Sequence, residues 1–374
     1  MAAALRALLV GNYREDSQYS MLGFGRALLV GLPGHGVEVE FIAPQHILRP
    51  PVRRLGKWFA YADKYVLFPR VLRRAAGRAD VVHVLDQGNG IYVNHLQKVR
   101  HVVTCHDLLA IRSALGELPY WKTGRSGKLY QKAILRGLRR ARFVACVSGA
   151  THRDAQRLLE LPNERLTTIY NGLYSPWTSR KGAPPTEACR VAGLTANQPY
   201  VLHVGNASPY KNRKGAVAVF HEIQKLGGPS LLVLAGKPLS APERTLAESC
   251  LAPGSFLELN KPPGPDLEWL YSNAWALLVT SFDEGFGLPI IEGQACGCPV
   301  FVPDKEPMTE IGGDGVVRID PSSPTSAAKV MMDVMQDISA LQARGYENVG
   351  KFSGEAMITA YADLYKSLAA GGAA

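Results

Sequence analysis

Between residues 281 and 300 the chain reads Ser-Phe-Asp-Glu-Gly-Phe-Gly-Leu-Pro-Ile-Ile-Glu-Gly-Gln-Ala-Cys-Gly-Cys-Pro-Val. Two carboxylates, Glu284 and Glu292, stand eight positions apart, with a glycine-rich turn between them. The apolar run Ala276-Leu277-Leu278-Val279 ahead of them predicts a short buried strand. Asp283 and Glu284 fall in the loop that ends it. Pro289 suits the first position of a helix, where its missing N–H costs nothing, and Gly297 suits the helix end. A strand, a glycine loop and a helix set unpaired main-chain N–H groups and the positive end of a helix dipole against an anion. Glu284 is expected in the loop and Glu292 in the first helical turn, so two hydroxyl-seeking acids flank that anion site. The ligand chemistry that fits is a diphosphate with a hydroxyl-rich ring on each side.

Other polar residues sit at comparable places. After the strand-like run Tyr200–Val204 comes Gly205-Asn206-Ala207-Ser208-Pro209-Tyr210-Lys211-Asn212, which puts a cation, Lys211, just beyond a strand end. Val102-Val103-Thr104-Cys105 runs into His106-Asp107, where Asp107 either orients the imidazole or caps the next segment. Phe143–Val147 runs into Ser148, which reads as a helix N-cap, and Ser20 reads as the cap of an earlier helix. The stretch Asp266–Tyr271 reads as a helix.

The elements that must carry these residues alternate regularly. Strands are predicted at Arg6–Gly11, Glu38–Ala43, Val81–Leu85, Arg100–Cys105, Phe143–Val147 and Leu166–Ile169, with helices such as Ser20–Leu32 and Lys128–Arg140 between them. A second series follows at Tyr200–Val204, Ser230–Ala235, Phe256–Leu259, Ala276–Val279 and Val300–Val302. Alternation of this kind argues for parallel sheets covered by helices on both faces. Residues 173–197 lack periodicity and are rich in turn formers, so they read as a flexible connector. The expected architecture is α/β, with domains at 1–174 and 175–353 and an amphipathic helix at 354–368.

The 281–300 stretch resembles the Glu-x7-Glu signature of the retaining glycosyltransferases, family 4 in particular, with Glu284 and Glu292 on the two Glu positions. The flanking Glu-Gly-Phe-Gly-Leu-Pro and Ala-Cys-Gly-x-Pro-Val frames match as well. The resemblance covers most of the chain. It implies the GT-B fold: two Rossmann-like, doubly wound parallel-sheet domains facing across a cleft, the helix 354–368 packing back on the first. The N-terminal domain would take the acceptor and the C-terminal domain the nucleotide sugar. It further implies catalytic roles for His106, Glu284 and Lys211. Donor contacts would come from Asn206, Lys211, Gly285, Phe286, Gly287, Leu288 and Glu292, with Glu292 on the ribose hydroxyls, Glu284 on the transferred sugar and the helix at 266–271 near the base. Two departures stand out. Positions that are often Arg in the family are Asn206 and Tyr210 here, leaving Arg213 or Lys214 as stand-ins. The Gly-Gly that often precedes the first long helix is replaced by Asp16-Ser17-Gln18-Tyr19-Ser20. Gln18, Tyr19 and Asp107 are the candidate acceptor contacts.

The implied reaction moves a hexose, with mannose the first candidate, from a GDP- or UDP-linked sugar to a saccharide or lipid-linked saccharide. Configuration would be retained and no cofactor or metal required, since no Asp-x-Asp motif is present. Alternatives are a catalytically weak sugar-nucleotide-binding scaffold at a membrane, or a same-fold enzyme such as a phosphorylase or a sugar-nucleotide epimerase.

Charge separates the two halves. Residues 1–174 hold 26 Lys and Arg against 12 Asp and Glu; the remainder holds 16 against 20. Basic clusters at Arg49–Lys57 and 122–142, interleaved with Trp58, Phe59 and Tyr61, suit an anionic membrane surface. No nucleic-acid module is recognisable. Six scattered cysteines without paired Cys-x2-Cys units fit reduced thiols in a cytoplasm. No run is long enough to span a bilayer, so the expected location is cytoplasmic or peripheral on the inner membrane face.

Overall fold

A computed structural model of the chain describes residues 4–13, 19–48 and 56–371; the side chains of residues 19 and 56–58 lie outside that description. The chain divides into two compact units, Met1–Tyr174 with Gly354–Ala374, and Ser175–Ser353.

In the first unit the elements run β1 (Leu5–Val10), α1 (Tyr19–Gly31), β2 (Val37–Ile42), α2 (Gly56–Ala62), α3 (Phe68–Ala76), β3 (Val81–Val84), β4 (His101–Cys105), α4 (Leu109–Leu115), α5 (Arg125–Leu138), β5 (Phe143–Cys146), α6 (Gly149–Leu159) and β6 (Leu166–Thr168). The strands form one parallel sheet in the order β2-β1-β3-β4-β5-β6. Leu8, Leu9 and Val10 are consecutive and all fully buried. Such unbroken apolar runs belong to strands covered on both faces. Ser20 lies inside α1 rather than capping it, because the helix already includes Tyr19.

In the second unit α7 (Glu187–Val191) leads into β7 (Tyr200–Gly205), α8 (Arg213–Lys225), β8 (Leu231–Gly236), α9 (Ala241–Cys250), β9 (Phe256–Asn260), α10 (Gly264–Asn273), β10 (Ala276–Leu278), α11 (Leu288–Ala295), β11 (Val300–Pro303), α12 (Met308–Gly312), β12 (Val317–Ile319), α13 (Pro324–Val334) and α14 (Ser339–Val349). The sheet order is β12-β11-β10-β7-β8-β9, again parallel. The short edge strand β12, Val-Arg-Ile, carries too few apolar residues to be signalled by pattern.

The expected connector, residues 173–197, is not a flexible tether: it belongs to the first unit up to Tyr174 and to the second from Ser175. Thr178 donates its N–H and Oγ1 to Glu268, at 2.9 and 3.0 Å, and the Trp269 indole donates to the Ala183 carbonyl at 2.9 Å. Cys189 and Leu194 are buried in the core of the second unit. Turn-rich composition removed the periodic signal, but side-chain bonds to α10 hold the segment in place. The last helix, α15 (Gly354–Ala369), buries Met357, Ile358, Tyr361, Ala362, Leu364 and Tyr365 in the first unit. At Gly31 of α1 a Cβ would lie 2.3 Å from Ile358, so this close approach requires glycine.

Candidate functional site

In the second unit β7 and β10 are hydrogen-bonded neighbours, Ala276 against Val201. The loops that leave their carboxyl ends therefore lie side by side, where open parallel sheets bind ligands. They are tied together: the Phe282 N–H donates to the Tyr210 carbonyl at 2.7 Å, and Thr280 Oγ1 to the Asn212 carbonyl at 2.9 Å.

Lys211 and Glu284, 73 residues apart, meet in this place. Lys211 Nζ lies 2.6 Å from Glu284 Oε1, which also accepts the Ser281 hydroxyl at 2.6 Å. Their side chains are only 9% and 8% exposed, so water screens the pair poorly. Burial alone would lower the lysine's pKa; the charges of Glu284, Tyr210 and Glu292 and the Glu284 hydrogen bond outweigh it, and the net displacement is upward. The ammonium also lies 5.4 Å from the centre of the Tyr210 ring.

Gly287 precedes α11 with φ +101°, a backbone shape that glycine adopts without strain. The N–H groups of Gly287 and Leu288 stand where the helix offers no carbonyl to receive them. Phe286 is buried and packs edge-on to Phe352, centroids 5.8 Å apart. Lys305 pairs with Asp283 at 2.9 Å and donates to the Phe282 carbonyl, latching the loop beside Gly285. Glu292 is the fifth residue of α11, in its second turn rather than the expected first. Its half-buried carboxyl accepts from the Tyr271 hydroxyl of α10 at 2.9 Å. Burial pushes Glu292 up to about 7, against the opposing pull of Tyr271 and Lys211.

Asn206 is exposed and shapes its own turn, its Oδ1 accepting from the Ser208 N–H at 2.8 Å. Arg213 does not stand in for a missing cation. It is buried and spends its terminal nitrogens on the carbonyls of Lys237 and Pro238, at 2.8 and 3.2 Å. Lys214 is exposed on α8.

In the first unit His106 follows the carboxyl end of β4. Its Nε2 faces the Leu85 carbonyl at 2.9 Å, which fixes the proton there and leaves Nδ1 as an acceptor. Nδ1 is buried with no partner among the described residues. The Gln87 side chain accepts from the His106 N–H at 2.8 Å, and Phe24 meets the ring edge-on at 5.0 Å. Burial lowers the imidazole's pKa, against the pull of Asp86 and the Leu85 carbonyl. Asp107 stands one residue before the N-cap of α4, its Oδ1 accepting from the Leu109 N–H at 2.9 Å. Ser148 caps α6 through Thr151 N–H at 3.1 Å. Gln18 lies outside the described residues. Tyr19 is the first residue of α1, and its side chain is likewise undescribed.

Several polar residues escaped the sequence reading. Asp86 and Asn12, 74 residues apart and both buried, bond at 2.5 Å; Asn89 donates to Asn12 at 2.6 Å and the Gly88 N–H to Asp86 at 2.6 Å. Ser281 and Tyr271 serve the two glutamates. Asn12 and Asp86 share one signal: each lies two residues past a strand end. The arrangement as a whole can hold negative charge and hydroxyl groups in the second unit and offers a fixed imidazole acceptor in the first. Among the described residues no cluster of three or more His, Cys, Asp or Glu could hold a metal ion. The six cysteines are free, and all but Cys250 are buried.

Comparison with known proteins bears on the family and the fold. The model for "Glycosyltransferase Family 4" matches residues 26–174 and that for "Glycosyl transferases group 1" matches 187–350. O-antigen chain mannosyltransferase B of Escherichia coli is 27% identical over 311 residues, 81% of this chain and 79% of that protein. Sucrose-phosphate synthase from Thermosynechococcus elongatus superposes with a TM-score of 0.73 at 19% identity, covering 98% of this chain and 100% of that one. Anabaena HepE, solved in complex with UDP and glucose, superposes at 0.68 and 15%, covering 97% and 100%. With two six-stranded parallel sheets and both family models matched, the chain belongs to the family 4 type of glycosyltransferases and has the GT-B fold.

Proposed function

We propose that this glycosyltransferase moves a hexose, mannose in the first instance, from a nucleotide diphosphate sugar to a saccharide or lipid-linked saccharide, with retention at the anomeric carbon. The observation that carries the reading is the buried Lys211–Glu284 pair beside the start of α11, with Glu292 one turn inside the same helix. Lys211 and the Gly287 and Leu288 amides are suited to the charge that grows on a departing diphosphate. Glu292 receives ribose hydroxyls. Glu284, shared between Lys211 and Ser281, receives hydroxyls of the transferred sugar. His106 Nδ1 takes a sugar hydroxyl in the first unit, with the Leu85 carbonyl and Phe24 steadying the ring and Gln87 holding the main chain. As the bond from the anomeric carbon to the phosphate oxygen breaks, the bond to the acceptor oxygen forms on the same face, and the acceptor's proton passes to the departing phosphate. Mannose is favoured because a relative bears that activity in its name.

A lipid-linked acceptor is supported by the surface of the first unit. Arg125, Lys128, Lys132 and Arg136 of α5 are exposed, and Leu129 beside them is 70% exposed. Tyr130 bonds Tyr65 at 2.7 Å, continuing the face toward exposed Tyr61 and Val66. Apolar side chains among cations suit an anionic bilayer surface. No described helix is long and apolar enough to cross a membrane.

The test is transfer from a panel of GDP-, UDP- and ADP-hexoses to lipid-linked and soluble saccharides, with the anomeric configuration of the product read by NMR. Inversion would remove the retaining mechanism. Tight nucleotide-sugar binding without transfer to any acceptor would favour the scaffold reading.

A further inference from the structure

The amino-terminal ends of the first unit's strands carry a second cationic feature. A cavity of about 410 Å³ is lined by Arg100, His101, Arg142, Arg165, Leu368 and Gly371. Arg100 directly precedes β4, Arg142 directly precedes β5 and Arg165 directly precedes β6. These strands are adjacent and parallel, so the arginines enter from three neighbouring strand starts about 4.8 Å apart. His106 and Asp86 follow strand ends instead, so the cavity is separate from the sugar site.

Two arginines are held in position. Arg165 donates Nε to the Arg142 carbonyl at 2.9 Å and Nη2 to the Ala141 carbonyl, and Arg142 donates Nη2 to the Gln97 carbonyl at 3.3 Å. These bonds fix both guanidinium groups and use only part of their five donors each. His101 adds no competing charge: Nδ1 faces the Val99 carbonyl at 3.0 Å, and Nε2 accepts the Arg142 N–H at 3.0 Å, which requires the neutral ring. Among the described residues no acid lines the cavity. The acid beside Arg100, Asp80, is already paired with Arg6 at 3.1 Å. Fixed like charges around a hollow repel unless an anion enters, and prepositioned guanidinium forks match phosphate oxygens.

We propose that this cavity binds a phosphate-bearing anion through Arg100, Arg142 and Arg165. The site is distinct from the one proposed for the nucleotide sugar. Its occupant joins the strand starts to the end of α15, which supplies Leu368 to the wall, and to Gly371 just beyond it.

Calorimetric titration with pyrophosphate at low ionic strength tests it, using the wild type, Lys211→Gln and Arg100→Gln/Arg142→Gln. The Lys211 variant is expected to keep a binding event that the double variant weakens by about 100-fold, on the scale of two lost charge-assisted bonds. Should the double variant not fold, Arg100→Glu, at an exposed position, is expected to weaken the same event at least about tenfold. A double or single variant that titrates like the wild type overturns the proposal. Loss of the event only in Lys211→Gln also overturns it, because the pyrophosphate would then occupy the sugar-nucleotide site alone. Displacement of pyrophosphate by phosphatidic acid vesicles, but not by phosphatidylcholine vesicles, assigns the anion to a lipid headgroup. Binding without such displacement assigns it to a soluble phosphate.

Discussion

The carboxyl-end loops of the two sheets solve the same problem in different ways. In the first unit the polar groups are joined in a hydrogen-bonded set: Asn89 to Asn12, Asn12 to Asp86, Gln87 to the His106 main chain, and His106 to a carbonyl. One acceptor, His106 Nδ1, is left over. In the second unit the groups are charges held against one another, Lys211 on Glu284, with Glu292 acting on Lys211. A hydrogen-bonded network built on one carboxylate fixes one geometry with a single acceptor left open. A poorly solvated ion pair is costly to leave half-made, yet contributes little net stability when whole. The difference teaches that the first unit is built for position and the second for charge.

The largest expected effect tests the charged side. Glu284→Gln and Lys211→Met should each lower turnover by about 10²–10³-fold, the scale for removing a preorganised electrostatic contact. Lys211→Met should also destabilise the fold by roughly 3 kcal/mol, since Glu284 is then buried without its cation. Lys211→Met/Glu284→Gln should recover most of that stability in chemical denaturation while staying inactive. If the double variant were as unstable as the single one, the pair would be structural and the contrast would fail.

A smaller effect is expected from the hydrogen-bonded set of the first unit. Asp86→Asn keeps the volume but removes the carboxylate that favours the charged imidazole. Turnover should fall about 10–100-fold, the scale of one hydrogen bond to a charged group, and nucleotide binding to the second unit, read by calorimetry, should not change. A loss of nucleotide affinity would show that the two sites do not act separately.

Below that lies the buried network under α15. His83 bonds the Tyr365 hydroxyl at 2.5 Å and Thr104 at 2.6 Å, and burial lowers its pKa to about 3. Tyr365→Phe leaves one ring nitrogen unbonded and should cost about 1–3 kcal/mol of stability with kcat unchanged. An unchanged denaturation midpoint would mean that water replaces the hydroxyl.

The smallest effect is a pH dependence. Glu292 has its folded pKa raised to about 7, so the folded state binds the proton more tightly than the unfolded one. The stabilisation is therefore full below the unfolded value near 4.5 and is lost as pH rises through about 7. Between pH 5 and 8 the wild type should lose a few degrees of Tm relative to Glu292→Gln, by roughly the size scaling of small stability changes. Equal pH slopes for the two proteins would remove the raised carboxyl from the second unit's charge set.

Much of this molecule was legible in one dimension. Strand after strand was placed within a residue or two, because fully buried parallel strands are unbroken apolar runs such as Ala7–Val10. The loop and helix around Glu284 were legible because Gly287 and Pro289 each have a narrow backbone use. The connector was misread for the converse reason: residues 175–197 are held by side-chain bonds to α10, which leave no periodic trace. The turn containing Glu292 was also missed, since helix starts are set by local caps within a residue or two.

What the sequence determined by itself was the type of most elements and several of the polar residues waiting at their ends, because propensity, periodicity and turn chemistry act between near neighbours. Tertiary structure decided which of those residues meet. Strand order laid β10 against β7 and so joined Lys211 to Glu284 across 73 positions; it laid β3 against β1 and so joined Asp86 to Asn12 across 74. No local rule carries a partner over that distance. Only the burial of shared sheet faces brings the loops together, and burial then makes each meeting energetically consequential.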